Sequence, residues 1–428
     1  MEEVTKIKTK TTIKYGDVEA LDLLIVGGGF SGLALALAVG RAGLKTVVVD
    51  RAAPRDVLGG GFDGRTCAFA DASVRILEAL GVWPDMSAAA APINDIRVSD
   101  GHSLLFLHYD HCELGDRPFG HVVENLVTRR ALYRQFEKCR HATLEAPASV
   151  DSLQFSEDGV TAWLEDGRCL RAALAVAADG RRSQTRQSAG IRVTESAYRQ
   201  TSIVCTIAHE HPHRGIAFER FYPAGPFAVL PMVDDVPGTA SWPHRSSIVW
   251  SEGSELAPRL LALGDAEFTA ELRRRLGDTL GNLEVAGGRW SYPLGLLRAE
   301  NLVGPRLALV GDAAHGIHPI AGQGLNLGLR DAAALAEVIV EASNLGLDIG
   351  SREILERYAR WRRFDVMTLI AVTDGLTRLF SNDIPPLRLA RGLGLGAVNG
   401  VPPLKRFFMR YAMGAVGDLP QLMRGQPL

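Results

Sequence analysis

The sequence lacks the features that mark several large classes of protein. Its five cysteines form no Cys-x-x-Cys pair, which argues against a zinc site, an iron–sulfur cluster or a disulfide framework. We therefore expect no metal ion. Acidic and basic residues nearly balance, at 49 and 47, so the charge gives no signal for nucleic-acid binding. The longest apolar tract, residues 21–39, is interrupted by Asp22, a glycine run and Ser31, which predicts a strand and a helix rather than a membrane span.

The length and the N-terminal residues set further bounds. A chain of 428 residues is long enough for two or three domains with separate cores. Residues 1–20 are polar and contain no apolar segment, so they predict an extension without a secretory signal. Because the cysteine usage also favours a reducing compartment, we expect a cytoplasmic protein.

The first motif is a glycine-rich turn between an apolar strand and a helix rich in alanine and leucine. It reads Gly27-x-Gly29-x-x-Gly32, and Asp50 closes the next apolar strand. In such a pattern the first glycine permits a tight turn, the second lets a pyrophosphate approach the backbone, and the third lets helix and strand pack closely. A carboxylate at the position of Asp50 binds a ribose. The pattern predicts an adenine-dinucleotide site and leaves NAD and FAD open as its ligand.

A second glycine-rich stretch lies near the other end of the chain. Residues 307–310 predict a buried strand, Asp312 follows it, and a helix is predicted to begin near Gln323 or Gly324. The free N–H groups at the start of that helix suit an anionic, planar partner. Between the two stretches, a predicted strand over residues 174–178 ends in Asp179-Gly180.

Two predicted helices bear on the site. One covers residues 127–136 and has Arg129 and Arg130 in its first turn, where positive charge opposes the helix dipole. We interpret these arginines as ligands for a phosphate or a carboxylate, with solvent exposure as the alternative. The other is an amphipathic helix over residues 266–285, which follows a β-rich region over residues 200–250.

In this order, the three motifs Gly27-x-Gly29-x-x-Gly32, Asp179-Gly180 and Gly311-Asp312 resemble the fingerprints of the class A flavoprotein monooxygenases. Residues 122–125, the Ala-Phe-Glu-Arg-Phe segment at 217–221 and the whole of residues 311–331 are similar to the ubiquinone-biosynthesis hydroxylase branch of that family. The resemblance extends from residue 21 to about residue 424.

The resemblance implies an α/β fold. A Rossmann-like FAD/NAD(P)-binding domain would be interleaved with a β-sheet substrate domain and followed by C-terminal helices. The implied segments are a polar extension at 1–20, an FAD-binding domain at 21–90, 111–190 and 290–345, a substrate domain at 91–110 and 191–289, and a helical region at 346–428.

The resemblance also implies a set of residues around FAD, from the pyrophosphate to the flavin ring. The implied FAD residues are Gly27, Gly29, Gly32, Asp50, Arg51, Arg65, Asn125, Arg129, Arg130, Asp179, Gly180, Gly311, Asp312, Pro319, Gly322, Gln323, Gly324, Leu325 and Asn326.

No second glycine fingerprint follows a strand. This matches the family, in which NAD(P)H binds transiently as electron donor without a domain of its own.

The implied chemistry is hydroxylation of a polyprenylated aromatic ubiquinone precursor through a C4a-hydroperoxyflavin, in a site that excludes water. For His315 we favour a structural hydrogen bond over a role as a base, and we expect His318 and Pro319 near the flavin ring. No catalytic side chain is assigned. The candidates for the substrate pocket, each with core packing as its alternative, are Phe221, Phe227, Leu230 and Pro231.

Three questions stay open at this point. Another FAD hydroxylase of a small aromatic, or an isoprenoid reductase of the same fold, would share these motifs. The alternative that is not an enzyme is a flavin-binding subunit without catalytic activity that acts in a quinone-biosynthesis complex. Residues 352–410 hold eleven basic and five acidic residues, so this tail either contacts the inner-membrane surface or a partner protein, or forms a solvated cap.

Overall fold

The structure is a computed structural model, and it describes residues 20–60, 62, 64–101, 103, 106–234, 241–318, 320–380, 391, 394 and 396–428. The predictions for residues 1–19, for Pro319 and for a break at the proline pair 385–386 lie outside these residues. The strands are β1 Leu21–Val26, β2 Thr46–Val49, β3 Thr66–Ala70, β4 Ala91–Ile93, β5 Asp95–Asp100, β6 Phe106–Asp110, β7 Gly120–Glu124, β8 Ala142–Glu145, β9 Val150–Phe155, β10 Val160–Leu164, β11 Cys169–Ala177, β12 Val193–His209, β13 Ile216–Tyr222, β14 Gly225–Pro231, β15 His244–Gly253, β16 Leu283–Ala299, β17 Val303–Gly304, β18 Leu307–Leu309 and β19 His315–Gly316. The helices are α1 Phe30–Arg41, α2 Pro54–Leu58, α3 Asp71–Ala79, α4 Asn125–Glu137, α5 Gln184–Ser188, α6 Ala257–Leu261, α7 Asp265–Leu276, α8 Gln323–Asn344, α9 Arg352–Phe380 and α10 Pro402–Ala412.

The first sheet is mainly parallel and forms the centre of the dinucleotide-binding half. Its main order is β17-β18-β11-β1-β2-β8, and β9 and β10 continue it beside β11. The apolar runs of β1 and β2 are buried on both faces, which is why they pair in parallel between two layers. Helices α1 and α8 cover one face, and apolar side chains of β10 pack against the other. The α/β prediction is confirmed.

The second sheet is mostly antiparallel, with the order β19-β16-β12-β15-β14-β13-β5-β6. Alternate side chains of β12, β13, β14 and β15 pack against α6 and α7 in one apolar cluster, while the residues between them face the opposite side. Strand β16 runs without interruption from Leu283 to Ala299 and pairs with β12 at both ends. The predicted domain boundary at 289/290 falls inside this strand, which continues across it.

The predicted helix over residues 266–285 is too long. Helix α7 ends at Leu276, because Gly277 adopts a φ of 61° and starts a short 3-10 turn. The chain then enters β16 at Leu283, so apolar residues that fit a helical pattern belong to a strand.

The C-terminal helices complete the fold. Helix α9 runs beside α8, and α10 begins at Pro402. The pair Pro402-Pro403, where the sequence predicts a break between helices, therefore lies in the first turn of a helix. A small sheet of β3, β7 and β4 lies near them. Within the described residues, no helix is both long and apolar enough to cross a bilayer.

Candidate functional site

The first glycine loop gives each of its three glycines a different role. Gly27 has a φ of 110°, and a Cβ atom there would lie 2.4 Å from the carbonyl oxygen of Ala178. A Cβ atom on Gly32 would lie 2.1 Å from the carbonyl oxygen of Gly27. Gly29, directly before α1, has nothing within 4 Å of that position. Gly27 and Gly32 thus permit close packing, and Gly29 leaves the N-terminal end of α1 open to a ligand.

The carboxylate of Asp50 holds this loop in place. Its Oδ2 atom accepts the N–H of Gly28 at 2.5 Å, and its Oδ1 atom accepts the N–H of Ala52 at 2.7 Å. Each oxygen keeps a second lone pair, so a ribose hydroxyl can still donate to it. The neighbouring Arg51 is exposed.

The three motifs meet where the parallel strands end. A Cβ atom on Gly27 would lie 2.8 Å from the backbone nitrogen of Asp179. The Oγ atom of Ser31, in α1, would lie 3.0 Å from a Cβ atom on Gly311 and 2.6 Å from one on Gly328. Ligands bind at this edge of open α/β sheets, so the convergence marks the candidate site.

The second motif is joined to the third by an arginine that the sequence analysis missed. Buried Arg186 donates from Nη1 to the carbonyl oxygen of Ala313 at 2.8 Å. Asp179 accepts the N–H of Thr185 through Oδ2, and its Oδ1 atom is buried without a hydrogen-bond partner among the described residues. Gly180 has a φ of 81°, which turns the chain away from the strand end.

The side chain of Asp312 is exposed beside these motifs although surrounding protein desolvates it, and we call the solvent-accessible space in front of it the recess. It lies in the short turn Gly311–Ala313, and its side chain stays in contact with solvent. The surrounding protein raises the pKa of the Asp312 carboxyl, although the charges of His315 and Arg181 act in the opposite direction. A carboxyl group placed in this way can accept a hydroxyl of a bound cofactor.

Behind the recess, a buried carboxylate ties four segments together. The Oδ2 atom of Asp331 lies 2.5 Å from His315 Nε2 and accepts the N–H of Gly311 at 3.0 Å, and its Oδ1 atom accepts from Arg362 Nε at 2.8 Å. Burial acts to raise the pKa of Asp331, but the charges of His315 and Arg362 outweigh it and hold the pKa below its usual range. His315 therefore makes the structural hydrogen bond that we favour from the sequence.

His318 is fully buried at the edge of the second sheet. Gln200 donates from Nε2 to the carbonyl oxygen of Ala224 at 2.6 Å, so its Oε1 atom faces His318 Nε2, 3.1 Å away. With this amide orientation, His318 Nε2 carries the proton. Burial lowers the pKa of His318 to about 4, so the ring is neutral near pH 7. Its Nδ1 atom has no hydrogen-bond partner among the described residues.

The loop before α8 is fixed by one amide side chain. Gly322 adopts a φ of 62° before the helix begins. The side chain of Asn326 donates to the carbonyl oxygen of Ala68 and accepts the N–H of Ala70, both at 2.9 Å. Residues 323–325 therefore present the N–H groups of the first helical turn from a firmly held position.

Asn125 lies at the junction of β7 and α4. Its N–H donates to the carbonyl oxygen of Arg65 at 3.0 Å, and its Oδ1 atom accepts from Cys67 Sγ at 2.9 Å. The side chain of Arg65 is exposed. These contacts place the backbones of Asn125 and Arg65 next to each other.

The structure separates the two arginines of α4. The helix begins at Asn125, earlier than predicted, so Arg129 and Arg130 lie in its second turn rather than its first. The guanidinium of Arg129 lies 5.6 Å from the ring centre of Phe30, the first residue of α1. Arg130 is exposed and donates to the carbonyl oxygen of Leu58. Arg129 alone of this pair is brought to the glycine loop.

Two of the four pocket candidates lie on the face of the second sheet that packs against α6 and α7, which is the core packing given as their alternative. Phe227 is 0% exposed and packs with Trp250 and Phe268 under α7, so it belongs to the core. Pro231 shares its face by alternation along β14. Phe221 and Leu230 lie on the opposite face, where Phe221 stacks on Phe380 with ring centres 4.2 Å apart.

Comparison with known proteins agrees with this geometry. The family described as "FAD binding domain" matches residues 20–372. The chain is 52% identical over 410 residues to "Ubiquinone hydroxylase UbiL" of Rhodospirillum rubrum, with 95% of this chain and 93% of that protein covered. It is 35% identical to "3-demethoxyubiquinol 3-hydroxylase" of Escherichia coli, with 92% and 98% covered. The crystal structure of p-nitrophenol 4-monooxygenase PnpA from Pseudomonas putida DLL-E4 has a similar fold, with a TM-score of 0.75, 20% identity and coverage of 94% and 100%.

The open position at Gly29 leads to a first prediction. Gly29→Val should fold normally, because an added Cβ atom meets nothing within 4 Å, but it should weaken FAD binding roughly tenfold or more by blocking the approach to the backbone. The measurement is the flavin absorbance of the purified protein beside its thermal unfolding temperature. Gly253→Val is the matched control, since Gly253 is equally open but lies in β15. Normal FAD content in Gly29→Val would contradict the assignment.

The buried His318 leads to a second prediction, on pH. Its folded pKa of about 4 lies below the ordinary 6.5, so between these values the unfolded chain binds a proton that the folded protein does not. The contribution is complete above pH 6.5 and is lost as the pH falls towards 4, by at most about 3 kcal/mol.

Chemical unfolding at a series of pH values tests this. His318→Gln should flatten the fall in stability between pH 6.5 and pH 4, while His141→Gln, at an exposed site, should not. Part of the fall should remain, because burial also lowers the pKa of His209 to about 4. Identical slopes in all three proteins would refute the role of His318.

Proposed function

The chain belongs to the FAD-binding domain family, in its branch of ubiquinone-biosynthesis hydroxylases, and on this basis we propose that it hydroxylates the aromatic ring of a polyprenylated quinone precursor with FAD as its cofactor. The observation that carries the proposal is the convergence of the three motifs beside the open Gly29 and the recess at Asp312. NAD(P)H is the proposed transient electron donor, as is typical of the family.

The residues at the convergence fit an adenine dinucleotide. Gly29 and the N–H groups at the start of α1 would receive the pyrophosphate, and Arg129 stands close enough to that helix start to add positive charge. Asp50 and Asp312 offer carboxylate oxygens to hydroxyl groups. When bound, FAD supplies the reaction with dioxygen that places an oxygen atom on the ring.

The chain itself supplies electrostatics and exclusion of water. The N-terminal end of α8, a helix of 22 residues, would stabilise negative charge on the flavin ring beside residues 323–325. His318 is neutral near pH 7 and brings no competing charge. The face of the second sheet that carries Phe221 would close the site on the far side and keep water from the reacting ring.

A third prediction tests the reaction in the cell. A strain without the gene should stop making its quinone and accumulate a prenylated aromatic precursor that lacks one ring hydroxyl, identified by mass spectrometry. The wild-type gene and Gly253→Val should restore the quinone, whereas Gly29→Val should not.

The outcomes separate the rival functions. A normal quinone level in the deletion strain would overturn the proposal. Rescue by Gly29→Val without bound FAD would favour a subunit that supports a quinone-biosynthesis complex without hydroxylating. Accumulation of an unprenylated aromatic would favour a different FAD hydroxylase.

We further propose that α9 and α10 dock on an anionic membrane surface, where a polyprenylated substrate resides. Phe364 in α9 is 77% exposed and Phe407 in α10 is 50% exposed. Phe364 and Tyr411 line one cavity, so the two exposed surfaces adjoin. Arg406 and Arg410 are exposed on α10 beside these apolar groups. Apolar side chains that insert at the interface and arginines that attract anionic headgroups are typical of such surfaces.

Vesicle binding is the fourth prediction. The double variant Phe364→Ser/Phe407→Ser should co-sediment with phosphatidylglycerol-containing vesicles several-fold less than the wild type, because each lost aromatic removes buried apolar area. Leu345→Ser is the control, since Leu345 is 74% exposed but follows α8. Equal sedimentation of all three proteins would contradict the membrane surface and leave a protein partner or a solvated cap.

A further inference from the structure

The carboxyl group of Glu219 lies on the inner face of the second sheet, which is the face that does not pack against α6 and α7. It follows Phe218 in β13, and Phe218 packs against α7 with the helix-side core. Side chains alternate along a strand, so Glu219 faces the opposite side. Its partners in the neighbouring strands are Ala228 in β14 and Val98 in β5. The immediate neighbours of this carboxyl group across the sheet are therefore apolar.

This face meets the loop that leads into α8. Val98, directly opposite Glu219, packs with Phe221, Phe380 and Ile320 in one apolar cluster. Ile320 stands in the short turn that precedes α8. Glu219 therefore lies opposite a residue of the apolar cluster that also contains this loop, which the proposed function places beside the flavin ring.

Glu219 has no hydrogen bond or ion pair among the described residues, yet it is not sealed inside the core. Its side chain keeps partial access to solvent, whereas Phe218 and Phe221 are only 8% and 3% exposed. Burial raises the pKa of Glu219 to about 8, so the group is a neutral carboxylic acid near pH 7. A desolvated polar group without a partner is unfavourable, and the remaining solvent access of Glu219 lets a bound molecule supply that partner.

The charged groups nearest in the sheet are already engaged. Asp100, opposite Phe221, pairs with Arg391 at 3.1 Å. Arg220, the next residue of β13, donates to the carbonyl oxygen of Arg275 on the α7 side. Neither interaction supplies Glu219 with a counter-charge.

We propose that Glu219 hydrogen-bonds to a ring hydroxyl of the aromatic substrate and so fixes which ring carbon faces the α8 loop. This inference rests on the proposed function. A protonated carboxyl group can donate to a phenolic oxygen and accept from its hydroxyl hydrogen at the same time. An apolar ring would leave Glu219 without a partner, so the recess selects for a hydroxylated ring.

Binding to the FAD-loaded, full-length enzyme tests the assignment without turnover. The probes are ortho-prenylphenol and its methyl ether, and the readout is the shift of the oxidised flavin absorbance during titration. The wild type should bind the phenol roughly tenfold more tightly than the ether, the difference expected for one hydrogen bond to a buried group. Glu219→Leu should lose that preference, and Glu219→Gln, which keeps a donor and an acceptor, should retain most of it.

Two further readouts separate this role from a structural one. Glu219→Leu should keep its FAD and unfold at the wild-type temperature or above, because leucine removes a carboxyl group that has no partner. During turnover it should release more hydrogen peroxide and give a mixture of ring isomers. Glu195→Leu, at an exposed position of β12, is the control and should behave as the wild type in every assay.

The outcomes distinguish the two levels of inference. If Glu219→Leu keeps the full preference for the phenol and a single product isomer, the role of Glu219 is overturned while the proposed function stands. If the wild type neither binds nor hydroxylates either probe, the proposed function fails, and the assignment of Glu219 fails with it.

Discussion

The buried carboxylate of Asp331 is the interaction on which the candidate site depends. It accepts the N–H of Gly311, lies against His315, and receives Arg362 from α9. A charge that is 1% exposed is tolerated only while its partners stay in place. The end of β18, the strand at His315, helix α8 and helix α9 are thereby held in one arrangement. The recess at Asp312 and the loop before α8 take their positions from that arrangement.

The second sheet divides its side chains between stability and chemistry. One face packs Phe227 and Trp250 against Phe268 of α7 in a core that α6 also covers. The other face carries Glu219 and Phe221 towards the loop before α8. Because side chains alternate along a strand, the same strands form a rigid support with one set of residues and a selective wall with the other. The packing of the sheet against α6 and α7 does not depend on Glu219. The inner face can therefore hold this carboxyl group although it does not stabilise the fold.

The parts of the site that were predictable are those set by local backbone geometry. The roles of Gly27, Gly29 and Gly32 were predictable, because the tight turn and the close approach of the backbone to its neighbours or to a ligand exclude side chains at a fixed spacing. Asp331 could not be assigned a role, since its partners lie 16 to 31 residues away and burial decides its function. Phe227 takes its alternative role of core packing, because alternation along a strand does not say which face meets a helix. The continuous strand across residues 289/290 could not be predicted, since pairing with β12, not composition, sets the length of β16.

The central claim is that this site transfers an oxygen atom from dioxygen to an aromatic ring. The most direct measurement is the mass of the product formed by the purified, FAD-loaded enzyme from a prenylated phenol and NADPH under oxygen-18 gas. We predict a product heavier by one oxygen-18 atom, located on the ring. A product that takes its oxygen from water, or hydrogen peroxide alone with the phenol unchanged, would contradict the proposed function.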